Sequence, residues 1–388
     1  MSSAATPGIA PSPVDLPPTS PEVKHYHRLK LTAGIASFLL SLGFLGIAAI
    51  VFGPRIDQTV GEWVGNNRWA RLASLGFFYA AALQVLTLPL DFWSGFVLEH
   101  RYELSNQSFP QWVWKQIKGY LVGGPLGLLL LCGFYAFLSY SGPAWWLWAT
   151  AGWLLVTLVL GRLIPVLILP LFYKVTPVED ASLGERLQRL AAGTGLNIQG
   201  VYRLHLSAET RKANAALTGL GRTRRVLLGD TLLDQFTPEE VEVVFAHEVG
   251  HHVHRHLPKL IAINVVLAAA GFWLVDLVLG RAAQALGYAP MSDGTSAFKN
   301  PAALPLLMLV LMVFGLVLAP ALNALSRFFE RQCDRYALER TGRPDAYRSA
   351  FIKLARINKA DADPHPLIVW LFDDHPPIRE RLAMAGEG

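Results

Sequence analysis

Cysteine is nearly absent from this chain: there are two in 388 residues, Cys132 inside an apolar run and Cys333 far from it. No disulfide framework can be built from such a pair, and Cys333 is expected to remain a free thiol. Charge is scarce as well, at 16% of residues, against about 25% in an average soluble domain. A soluble globular protein is thereby excluded. Lys and Arg exceed Asp and Glu by 34 to 29, a net charge of +5. No basic cluster interleaved with aromatics accompanies that surplus, which excludes nucleic acid as a partner and assigns the surplus to membrane topology. An amino-terminal apolar core of the kind a cleaved signal needs is missing, as is any internal repeat. Residues 1–30, rich in Pro, Ser and Ala and ending in Lys24-His25-Tyr26-His27-Arg28, are expected to form a disordered tail.

Apolar sequence is abundant, at 52% hydrophobic residues and a mean hydropathy of +0.34. It falls into runs long enough to cross a bilayer as helices. The first covers 31–52 and is expected to stop at Gly53-Pro54-Arg55; the next are 72–98, with Asp91 near its inner end, and 119–140. A fourth begins in the Trp-rich stretch 144–153, which suits an interfacial belt, and continues past Arg162, Pro165 and Pro170 to Tyr173. Two more lie at about 260–279 and 302–325. The expected fold is mainly α: a polytopic membrane protein of about six transmembrane helices carrying a small α+β module. Three regions follow: the tail 1–30, an amino-terminal membrane domain 31–173 with four helices, and a domain 174–388 that includes the last two. Arg162 is costly at membrane depth and is either a partner for Asp91 or backbone carbonyls, or part of a functional site.

Between 174 and 258 the sequence turns polar. Leu183, Leu187 and Leu190 mark one face of a helix ending at Gly193, 201–206 reads as a strand, and 213–218 and 224–228 read as strands joined by the turn Gly219-Leu220-Gly221-Arg222-Thr223. Thr237-Pro238-Glu239-Glu240 then opens a helix, with Thr237 as cap and Glu240 completing a capping box. About two turns in stands His247-Glu248-Val249-Gly250-His251. Residues four apart share a helix face, so both imidazoles can reach one ion while Glu248 lies beside them, free to act as a base. Zinc held by three protein ligands keeps a position open for water. Candidates for the third ligand are several. His254 lies on the ligand face, whereas His252 and His256 point elsewhere on a straight helix. A metzincin pattern fails, because it needs Gly where His254 stands and His where Leu257 stands. Downstream, Glu330 comes with Asp334 one turn on, where a carboxylate could orient a ligating histidine.

Taken together, His247-Glu248-Val249-Gly250-His251, Ser326-Arg327 with Glu330 and Asp334, Asn214-Ala215, Asp230-Thr231-Leu232-Leu233, and His375-Pro376-Pro377 with Arg381 resemble the type I CAAX prenyl endopeptidases, a family of membrane-embedded zinc metalloproteases. The loop Leu98-Glu99-His100-Arg101-Tyr102 through Ser108 and the stretch from Tyr173 to Asp180 are similar to it too, so the likeness covers nearly the whole chain beyond the tail. The resemblance implies a zincin-like protease module and one Zn²⁺ per chain, with Glu330 as third ligand beside His247 and His251 and Asp334 behind them. It implies Glu248 as the base, Asn214 and Ala215 as an edge that holds the substrate backbone, and His375 and Arg381 as stabilisers of the oxyanion. His252 stands where the family often has Trp and Cys333 where Ala is usual, and the extra amino-terminal span of eukaryotic members has no counterpart. The expected substrate is a peptide or protein, membrane-associated or lipid-modified, met in the bilayer of a bacterial inner membrane with the module facing the cytoplasm. Two rivals are a quality-control metalloprotease without CAAX specificity and a non-catalytic zinc-holding scaffold or sensor. An intact Glu248 argues against the scaffold.

Overall fold

The computed structural model describes residues 19–196, 200–220, 225–288 and 299–386. Its first helix, α1 (Pro21–Ile47), starts ten residues ahead of the first apolar run. Ser20 caps it, accepting from Val23 N at 3.2 Å, and Pro21 takes the first helical position, where its missing N–H costs nothing. The extension is held by packing: Tyr26 is buried with Leu98, Tyr102 and Leu104. Its hydroxyl donates to Glu99 at 2.7 Å, and Lys30 and Lys212 bind the same carboxylate. The expected tail therefore ends before Pro21, and residues 1–18 lie outside the described residues.

The expected stop at Gly53-Pro54 is also corrected. A π turn at Ala48–Phe52 leads straight into α2 (Gly53–Val64), whose first turn accommodates Pro54. Next come α3 (Arg68–Phe92), a π turn and α4 (Leu98–Arg101), α5 (Phe109–Tyr140), α6 (Trp145–Leu163), and a π turn leading to α7 (Leu169–Phe172). With the two long helices described below, six stretches are long and apolar enough to cross a membrane, as the hydropathy runs predict. Polar groups inside them pair: Trp145 Nε1 donates to Asp276 and Trp153 Nε1 to Asn264, both at 2.7 Å. The Trp-rich stretch is thus divided, since Trp145 belongs to the core while Trp148 and Trp153 stay exposed. Asp91 takes hydrogen bonds from Thr87 and Gln84, and Arg162 is exposed rather than paired with it.

After Tyr173 the chain forms β1 (Val175–Pro177), α8 (Ala181–Ala191), β2 (Val201–Leu204), β3 (Ala215–Thr218) and β4 (Arg225–Gly229). Leu183 and Leu187 of α8 are buried against Val226 and Leu228 of the sheet and against the helical Phe245 and Val249, as their spacing predicts. The strands run in the order β1-β2-β4-β3, with β2 and β4 parallel and the outer pairs antiparallel. β3 is therefore an edge strand. Part of the expected turn, 221–224, lies outside the described residues.

The rest is helical: α9 (Asp230–Leu233), α10 (Pro238–Val253), α11 (His256–Ala285), α12 (Leu304–Thr341), α13 (Pro344–Ile357), α14 (Pro366–Phe372) and α15 (Ile378–Met384). α10 and α12 pack closely enough that Gly250 faces the Cys333 backbone, and a Cβ on Gly250 would lie 3.0 Å from Cys333 Cα. That approach brings the histidine helix against the carboxylate helix.

Candidate active site

α10 begins as the capping box predicts. Thr237 N donates to Glu240 Oε2 at 2.8 Å, Glu240 N to Thr237 Oγ1 at 3.4 Å, and Lys353 anchors the same glutamate at 2.7 Å. Val243, Phe245 and Val249 are buried, which fixes the rotation of the helix and turns His247 and His251 towards α12. There Glu330 meets both: its Oε2 lies 3.1 Å from His247 Nε2 and its Oε1 3.3 Å from His251 Nε2. Asp334, one turn on and fully buried, sits 2.9 Å from His247 Nδ1 and is clamped by Arg381 through Nε and Nη2 at 2.9 and 2.5 Å.

Two imidazole nitrogens and a carboxylate converging from facing helices match the N/O ligand chemistry of zinc. Glu330 Oε2 supplies a test of fit, for it is buried and makes no hydrogen bond. A cation there would satisfy it. His247, His251 and Cys333 also place ligand-type atoms within 4.8 Å of one another. The thiol also lies 3.6 Å from His256 Nδ1, the atom that meets His251 Nδ1 at 3.1 Å. His254, the alternative on the ligand face, caps the end of α10 and turns its ring towards His256 and Tyr336.

Electrostatics follow from this crowding. Burial by itself would lower the pKa of His247, but the hydrogen bond to Asp334 and the nearby Glu330 carboxylate overcome that and raise it to about 9. His375 is more open. Its Nε2 is 3.7 Å from Glu330 Oε2, and its Nδ1 lies 2.7 Å from Asp374 Oδ1, a bond that raises the pKa of the ring against the opposing effect of burial. Arg381, grouped with His375 by the resemblance, is buried and binds Asp334, with Nη2 3.8 Å from Glu330 Oε2.

Glu248 and the edge strand meet as well: Leu217 N donates to Glu248 Oε2 at 3.1 Å. Asn214 lies just ahead of β3 with its side chain exposed, and its carbonyl accepts from Gly229 N at 2.8 Å. Backbone groups that face outward alternate along an antiparallel strand, so Ala213, Ala215 and Leu217 point away from β4. Asn358 occupies Ala213, its Oδ1 accepting from the N–H at 2.9 Å and its Nδ2 donating to the carbonyl at 3.1 Å. Ala215 is left with its outward N–H and C=O unpaired among the described residues. The motifs do not mark Asn358, and straight-helix geometry turns His256 away from His251, which it in fact touches. Both act through folds of the chain that spacing does not reveal.

Comparisons with known proteins agree with this geometry. Residues 177–387 match Peptidase family M48, and residues 21–174 match the family described as CAAX prenyl protease N-terminal, five membrane helices. An uncharacterised metalloprotease of Bacillus subtilis strain 168, YhfN, is 30% identical over 365 residues, 91% of this chain and 83% of that protein. CAAX prenyl protease 1 homolog of Arabidopsis thaliana is 32% identical over 317 residues, 78% of this chain and 71% of that one. Among solved structures, S. mikatae Ste24p has a similar fold, with a TM-score of 0.81 at 24% identity over 94% of this chain and 88% of that one. Neither a scaffold nor a sensor is favoured by such relatives: the chain belongs to peptidase family M48 and is a membrane metallopeptidase.

Proposed function

We propose that this chain is a zinc endopeptidase acting on membrane-associated or lipid-modified peptides, with one zinc ion held by His247 Nε2, His251 Nε2 and Glu330. The observation that carries the reading is the Glu330 carboxylate, which bridges the two Nε2 atoms while one of its buried oxygens lacks a hydrogen bond. Zinc bound there supplies Lewis-acid polarisation of the scissile carbonyl and of water. Glu248 takes the proton of the attacking water and returns it to the leaving nitrogen. His375, half-exposed and carrying a raised pKa, donates to the carbonyl oxygen as negative charge develops. Arg381 and Asp334 hold His247 in place, and the guanidinium adds positive charge behind the ligands.

The substrate backbone adds as a strand beside Asn214 and Ala215. Asn358 closes that edge at Ala213 and Glu248 at Leu217, so Ala215 sets the register and brings a carbonyl to the base. The bilayer enters because α10 is followed directly by α11 and Glu330 stands on α12, both membrane-length helices. The proposed setting is a bacterial inner membrane with this module facing the cytoplasm, an orientation supported by the Lys- and Arg-bearing segments after the fourth and sixth spans.

The test compares purified protein on a farnesylated CAAX peptide, the same peptide without lipid, and casein. Cleavage of the lipidated peptide at least about tenfold faster than of its unmodified twin, about 1.4 kcal/mol, is expected. Equal cleavage of all three, or of casein alone, overturns the substrate class in favour of quality control.

A further inference from the structure

We infer that His256 is a positioning residue that holds His251 in the tautomer able to bind metal. This rests on the reading of His247, His251 and Glu330 as ligands. His256 is almost fully buried, and its ring stacks on Phe329 with centroids 4.1 Å apart and planes 12° from parallel. One ring nitrogen, Nδ1, lies 3.1 Å from His251 Nδ1, and the other, Nε2, lies 2.9 Å from Gln332 Oε1. Contact between two imidazole nitrogens needs one N–H and one lone pair. The carboxamide oxygen of Gln332 only accepts, so His256 Nε2 carries the hydrogen and its Nδ1 is bare. His251 Nδ1 must then be the donor. That leaves the lone pair of His251 on Nε2, the atom that faces Glu330 Oε1 at 3.3 Å. Cys333 Sγ is farther from the same His256 Nδ1, at 3.6 Å, so the shorter His251 contact takes its single lone pair.

His247 has its Nδ1 fixed by Asp334 and Arg381; His251 has no carboxylate in that position, and the His256–Gln332 pair takes its place. A straight helix would carry a residue five positions on about 140° around the axis, away from His251. Here Arg255 adopts φ +54°, a left-handed conformation between α10 and α11 that is unfavourable for a non-glycine residue. The bend returns His256 to the side of His251.

The experiment measures Zn²⁺ affinity of the full-length protein in detergent by competition with a chromophoric chelator, with far-UV circular dichroism as the folding control. His256→Phe keeps an aromatic ring on Phe329 but removes the acceptor, and affinity is expected to fall about 10–100-fold, the usual cost of losing an outer partner of a ligating histidine. His256→Asn places an amide oxygen near the old Nδ1 and is expected to recover to within about threefold of the parent. Parental affinity in His256→Phe, or equal loss in His256→Phe and His256→Asn, overturns the inference in favour of ring packing alone. Should His256→Phe fail to fold, Gln332→Leu decides, since it lies outside the stack and releases the His256 tautomer: a several-fold loss supports the inference and none overturns it. Glu330→Ala separates the two readings. If it keeps zinc, the ligand set is wrong; if it loses zinc while His256→Phe does not, only the positioning role fails.

Discussion

Replacing Gly250 by alanine puts a methyl group into the contact between the two helices that build the site. The new Cβ would lie 3.0 Å from Cys333 Cα and 3.3 Å from both its Cβ and Sγ. Comfortable carbon–carbon separations are about 3.5–4.0 Å, so α10 and α12 must part by roughly half an ångström or more at that point. Overpacking of this kind costs about 1–3 kcal/mol, and the gain in helix propensity returns about 1 kcal/mol. Global stability should fall by about 0–2 kcal/mol. The ligands should feel it more, because Gly250 adjoins His251 while Cys333 lies between Glu330 and Asp334 in sequence, and binding sites tolerate displacements of only about 0.5 Å. Gly250→Ala is therefore expected to bind zinc about tenfold more weakly, or worse, with a native circular-dichroism spectrum. Adding Cys333→Ala removes one of the three close atoms and should restore part of the loss. Parental zinc affinity in Gly250→Ala would refute the reasoning, showing that the helix pair yields without disturbing the ligands.

Metal uptake should depend on pH. In the metal-free protein the Asp334 and Glu330 contacts, acting against burial, keep His247 protonated up to about pH 9. Zinc must displace that proton, so affinity should strengthen about tenfold per pH unit below that point and level off above it; a flat profile across the neutral range in a chelator titration contradicts this. Leu217→Pro removes the N–H that donates to Glu248 on an outward-facing position where an edge strand tolerates proline. Hydrogen bonds to charged groups contribute about 1.5–3 kcal/mol, so kcat/KM should fall about 10–100-fold with zinc content unchanged. Undiminished turnover would show that Glu248 needs no support from the strand.

The six spans were legible because hydropathy over about twenty residues is a strong signal, and the capping box announced α10. Ends were less so. α1 begins at Pro21 because Tyr26, Lys30, Glu99 and Lys212 form a polar cluster, a long-range arrangement that local composition cannot reveal. α2 continues past Gly53-Pro54 for the same reason that proline suits the first turn of a helix. The histidine pair could be placed from spacing alone, whereas Glu330 needed the resemblance, since proximity across some eighty residues leaves no local trace. His256 was misjudged by the geometry of a straight helix. The left-handed Arg255 that breaks it has no glycine to mark it, and Asn358 reaches Ala213 from a helix end 145 residues away.

The central claim is that Glu248 performs base chemistry beside a metal held by other residues, and Glu248→Gln tests it most directly. Glutamine keeps an oxygen that can accept from Leu217 N–H but loses the basic carboxylate. With purified protein, bound zinc and peptide cleavage are measured on the same sample. Zinc content is expected to stay unchanged and cleavage to fall by about 10²–10⁴-fold, the usual contribution of a general base. Cleavage by the variant close to that of the parent, or loss of zinc along with cleavage, would contradict it.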